Sequence, residues 1–119
     1  MIEQLTDMPD GTLGFRAVGR VEEDDYRTVL LPPVHAALAA GRVRILYVLD
    51  DDYDSYSPGA MWEDTRLGLG HLSGWDRIAL VTSHRWLRDA ARAFAWLMPG
   101  EARVFEPDRL AEAKEWLAS

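Results

Sequence analysis

The sequence predicts an α/β domain built on a mixed, mostly parallel five-stranded sheet with about four helices, in the order β-β-α-β-α-β-α-β-α. Three observations carry this expectation. Two runs, Val43 to Leu49 and Asp76 to Thr82, are rich in aliphatic and β-branched residues and suit strands buried on both faces. Segments of helical spacing separate the strand-like runs, which calls for right-handed crossovers between parallel strands. A turn signal, Met8-Pro-Asp-Gly11, lies between two short strand-like stretches and reads as an opening hairpin.

Each element has a local reason. Met1 to Asp7 alternates weakly, as an edge strand does, and Leu13 to Val18 is its partner. Glu22 to Gly41 has helical spacing through Tyr26, Val29, Leu30, Val34 and Leu38. Its acidic start offsets the positive end of the helix dipole, Pro32-Pro33 predicts a break or kink, and Gly41 suits the C′ position. A helix from about Pro58 to Leu72 follows, with Ser57 as N-cap, Pro58 in the first turn and Met61, Thr65, Leu69 and Leu72 as its apolar stripe. Gly68 and Gly70 predict a loose second half. Ser83 opens the next helix, whose inward stripe is Leu87, Ala90, Ala91, Phe94 and Leu97, and Met98-Pro99-Gly100 ends it. Ala102 to Phe105 reads as the last strand, and Pro107 to Leu117 as an amphipathic helix through Leu110, Ala113 and Leu117.

Composition narrows the function classes. A chain of 119 residues points to a single domain over residues 1–119. Five Trp, four Tyr and three Phe argue against disorder, and the lack of cysteine excludes disulfides, thiolate metal sites and cysteine nucleophiles. Acids outnumber bases 20 to 13, which disfavours a nucleic-acid partner. No uncharged run is long enough to span a membrane, so a soluble, cytoplasmic protein without a transmembrane segment is expected. Charge is uneven: residues 1–64 carry a net −8 and residues 65–119 a net +1.

Several phrases in this order resemble the SpoIIAA-like family, related to STAS domains and the CRAL-TRIO lipid-transfer fold. They are Gly19-Arg-Val-Glu-Glu-Asp-Asp-Tyr26 with Pro32 or Pro33, the strand Arg44 to Leu49, and Trp62-Glu63-Asp64. Trp75-Asp-Arg-Ile-Ala-Leu-Val81 with Trp86, Val104-Phe105, and Glu112-Ala113 with Trp116-Leu117 complete the match. The resemblance implies a non-enzymatic regulatory or binding module. Its ligand would be a protein partner or a small apolar, lipid-like molecule, with no cofactor. STAS relatives add the idea of a phosphorylated serine, here Ser55 or Ser57, although Tyr56 and Pro58 depart from the usual switch pattern.

Asp50, Asp51, Asp52 and Asp54 should lie beyond the end of a central strand, where carboxylates could hold Mg²⁺. A magnesium-dependent enzyme is therefore the competing reading. Alternation lets only Asp50 and Asp52 converge, and the Gly and distal Glu of a Ca²⁺ loop are missing, so no metal site is assigned. His35, His71 and His84 lie on separate elements without a nucleophile elbow, so no catalytic residue is assigned. Aromatic residues point instead to contact. Tyr53, Tyr56, Met61 and Trp62 cluster in sequence, and Trp96 falls opposite its helix's inward stripe. These five are the candidate partner- or ligand-binding residues, and self-association as a homodimer is a further expectation.

Overall fold

The computed structural model describes residues 1–49, 53–70, 74–96 and 100–119. In chain order the elements are β1 (Ile2–Leu5), β2 (Leu13–Ala17), β3 (Gly19–Val21), α1 (Glu23–Asp25), a π-helical stretch Tyr26–Leu30, α2 (Leu31–Ala40) and β4 (Val43–Val48). There follow β5 (Tyr53–Tyr56), α3 (Pro58–Gly70), β6 (Trp75–Val81), α4 (Arg85–Ala95), β7 (Glu101–Phe105) and α5 (Leu110–Ala118). The main sheet has the order β1-β2-β4-β6-β7. Only β1 is antiparallel, pairing Ile2 with Ala17 and Leu5 with Gly14; the other pairs are parallel. This is the α/β fold with the mixed five-stranded sheet that the sequence predicts.

Alternation divides the strands between two cores. Phe15, Ala17, Val43, Ile45 and Tyr47 face one side, where Tyr26, Leu30, Val34, Ala60 and Leu67 of the helical layer pack on them. Leu46, Val48, Ala79 and Val81 face the other, covered by Ala113 and Leu117 of α5. β4 therefore buries both faces, as its aliphatic run requires. The centre of β6 closes both cores in the same way, through Ile78 and Leu80 on one side and Ala79 and Val81 on the other.

The double proline does not break its helix. Leu31 N–H bonds the Tyr26 carbonyl, five residues back, and this wider π turn ends where α2 begins. Pro32 and Pro33 then occupy the first turn of α2, where a missing N–H costs little. Gly41 ends α2 with φ +143, a conformation that favours glycine, and its N–H bonds the Leu38 carbonyl at 3.2 Å. Gly100 has a packing reason: a Cβ there would lie 2.2 Å from the Trp75 carbonyl oxygen.

A second, two-stranded parallel sheet was not anticipated. β3 pairs with β5, so Tyr53 to Tyr56 is strand rather than loop. Ser57 N–H then bonds the Val21 carbonyl at 2.8 Å and hands the chain to α3. α3 itself runs unbroken through Gly68 to Gly70. Among its described side chains, Ala60, Glu63 and Leu67 are buried, while Thr65 of the expected stripe is exposed. The inward face of α3 thus carries a carboxylate, Glu63. On α4, Leu87 packs against the core but Ala90 is exposed; Leu97 and Leu72 lie outside the described residues.

Candidate binding site

Two places on the helical side concentrate the sequence-predicted residues. The first surrounds the start of α3. Ser57 is buried and its Oγ accepts the Ala60 N–H at 3.1 Å, the N-cap geometry that Ser-Pro at a helix start implies. That bond engages the hydroxyl in the helix, whereas Ser55 on β5 is only half-buried. Trp62 points outward with 59% of its surface exposed. Tyr53 and Tyr56 lie on β5 and Met61 on α3, but their side chains are outside the described set.

Between α3 and the helical segment before it lies a polar cluster that the sequence pattern does not announce. Tyr26, fully buried, donates its hydroxyl to Asp64 Oδ1 at 2.7 Å. Glu63, 7% exposed, has Arg27 and Arg66 each 4.0 Å from its Oε1, and Arg27 also pairs with Glu23. Gly59 lets the Glu23 side chain pack on the first turn of α3, because a Cβ there would meet Glu23 Oε2 at 2.8 Å. Dehydration by the surrounding protein raises the Asp64 carboxyl from its ordinary value, with the Tyr26 hydrogen bond acting in opposition. The residue still keeps solvent contact, which tempers that dehydration. The cluster anchors α3 to the helical segment before it. Its only sequence signal is the spacing of Ala60, Glu63, Asp64 and Leu67, which puts the acids on the same face as two apolar residues.

The second place is the far edge of the sheet. Trp96 follows α4 and is 91% exposed. It lines an open hollow of about 350 Å³ with Ala91, Arg92, Ala102 and Val104, between α4 and β7. Trp86, at the start of α4, is 57% exposed. Trp75 and Trp116 serve the scaffold: Trp75 is buried, and Trp116 packs beside Phe105 under the guanidinium groups of Arg77 and Arg103. Trp62 and Trp96 belong to different contacts of the fold, α3 lying on α1 and α4 on β7.

At the carboxyl ends of the strands, Thr82 is buried, donates its N–H to the Phe105 carbonyl and accepts the His84 N–H on Oγ1. Arg88 reaches Glu106 at 2.9 Å. Asp50, Asp51 and Asp52 lie outside the described residues, and Asp54 lies on β5. Among the described residues, no group of three or more His, Asp or Glu is placed to hold a metal ion, and no helix is long and apolar enough to cross a membrane.

These features define a small α/β domain with a helical layer on one sheet face, a single helix on the other, and large indoles left outside both cores. The SpoIIAA-like family model matches residues 12–118, and the chain belongs to that family. A crystal structure of an uncharacterized protein with a SpoIIAA-like fold from Shewanella loihica is similar to it, with 31% identity and a TM-score of 0.76. The alignment covers 98% of this chain and 92% of that one. Among curated proteins, none matches the chain.

Proposed function

We propose that this chain is a cytoplasmic, non-catalytic binding module that engages a protein partner or a small apolar ligand through its exposed aromatic surface. The contact residues are Tyr53, Tyr56, Met61 and Trp62 around the start of α3, with Trp96 as a second contact. The carrying observation is the exposure of Trp62 and Trp96 outside the two cores that the buried aliphatic and aromatic residues form. Indoles in water are a poor use of apolar area for a free monomer, and aromatic residues are enriched where partners or ligands dock. Phosphorylation of Ser55 or Ser57 is the regulatory form of this reading. For Ser57 it requires the first turn of α3 to open, since its hydroxyl is the buried cap.

Tryptophan emission tests the apolar-ligand arm. Titration with a long-chain fatty acid should give a saturable change that Trp62→Ser or Trp96→Ser reduces. A linear, unsaturable response in the native chain would remove that arm.

A further inference from the structure

β7 ends the main sheet, and among the described residues nothing pairs with its outer side. Strand stereochemistry tells which groups face out. The Phe105 carbonyl accepts the Thr82 N–H, so the peptide groups of Glu101, Arg103 and Phe105 face β6. By alternation, the N–H and C=O of Ala102 and Val104 face away from the sheet. Exposed strand edges of this kind are templates for pairing with another strand.

The side chains select the partner. Glu101 and Arg103 are exposed and share one sheet face, Arg103 lying over the Trp116 ring; Ala102 and Val104 are on the other face, beside Trp96. An antiparallel pair centred on Ala102 makes Ala102 opposite Ala102 a hydrogen-bonded pair, which uses the outward groups. The same register sets Glu101 of each copy opposite the partner's Arg103, twice over by symmetry, in the closer non-hydrogen-bonded positions. A register one residue further on would oppose two Arg103 side chains. The other edge strand, β1, carries Glu3 with no basic residue on the strand to answer it.

We infer that β7 is a homodimer edge, two copies of this chain joining antiparallel about Ala102 through reciprocal Glu101–Arg103 pairs to make one continuous sheet. On the opposite face the two-fold brings both hollows to the junction, where the Trp96 indoles lose water contact. The inference rests on the reading of Trp96 as a contact residue and names a second copy as what it meets.

Sedimentation equilibrium of the full chain over roughly a hundredfold range of concentration should show a monomer–dimer equilibrium. Hydrogen exchange at the Ala102 and Val104 amides should slow as the dimer fills. Glu101→Arg or Arg103→Glu alone should weaken the dimer by about tenfold or more. The double variant E101R/R103E should restore native affinity, while circular dichroism shows all three folded. Trp62→Ser should leave the dimer unchanged, so the fate of the α3 surface is read separately. A chain that stays monomeric throughout, or a dimer that both single reversals leave intact, would overturn the inference.

Discussion

Tyr26 shows how much one side chain organises here. Its ring is fully buried between the helical layer and the sheet, and its hydroxyl meets Asp64 across 38 residues of sequence. Tyr26→Phe removes the donor but not the ring, and leaves Asp64 in contact with water, so the loss should be about 1 kcal/mol in urea denaturation. Ser57→Ala should cost a similar amount, about 1 kcal/mol, by releasing the Ala60 amide at the start of α3. The two positions differ in legibility. Ser57 before Pro58 announces its cap from two adjacent residues. Tyr26–Asp64 depends on where two helices cross, and a carboxylate in a helical pattern is ordinarily assigned to the water side. The buried Glu63 on α3 departs from that assumption.

At the scale of elements, α5 is held by the sheet more than by its own ends. Arg44 donates to the Leu117 and Ser119 carbonyls at 2.9 Å, and Arg77 to the Trp116 carbonyl at 2.6 Å. These guanidinium groups meet the negative end of the helix dipole. Leu117, fully buried, locks the helix over Leu46 and Val81. Leu117→Ala should therefore lower stability by about 2–5 kcal/mol in chemical denaturation. Acid should loosen this region. Arg44 donates to Asp76 at 2.7 Å and, by that hydrogen bond and its charge, holds the Asp76 carboxyl below its ordinary value, with Arg42 and Arg77 adding to the effect. A depressed carboxylate stabilises the fold above the unfolded-state value near 3.8 and loses that contribution as pH falls through the folded value. Asp76→Asn should accordingly be less stable than the native chain at neutral pH, the gap closing in denaturation curves taken at progressively lower pH. An unchanged gap across that acid range would contradict the Arg44–Asp76 linkage. None of this is visible in a periodicity, because the arginines lie 39 to 75 residues away in sequence from the carbonyls they reach.

For the whole molecule, the distribution of indoles is the feature with an optical consequence. Trp62, Trp86 and Trp96 are exposed at 59%, 57% and 91%, while Trp75 is 4% exposed. Acrylamide should quench native emission strongly but incompletely, and Trp96→Ser should remove a large share of the readily quenched fraction. Quenching uniform across all five indoles would contradict the division between scaffold and surface. The alternating order of strands and helices, the turns and the aliphatic strands were legible because they rest on contacts within a few residues or on a period of 2 or 3.6. Membership of the SpoIIAA-like family was legible for the related reason that its phrases recur in order along the chain. Tertiary structure alone decided the rest. It joined Gly19–Val21 to Tyr53–Tyr56 as a second sheet, turned Glu63 inward, set a π turn ahead of the double proline, and, among the described residues, left β7 with an open edge beside Trp96. Each of these depends on which distant groups compete for the same space and the same hydrogen bonds, and that competition exists only once the chain has closed on itself.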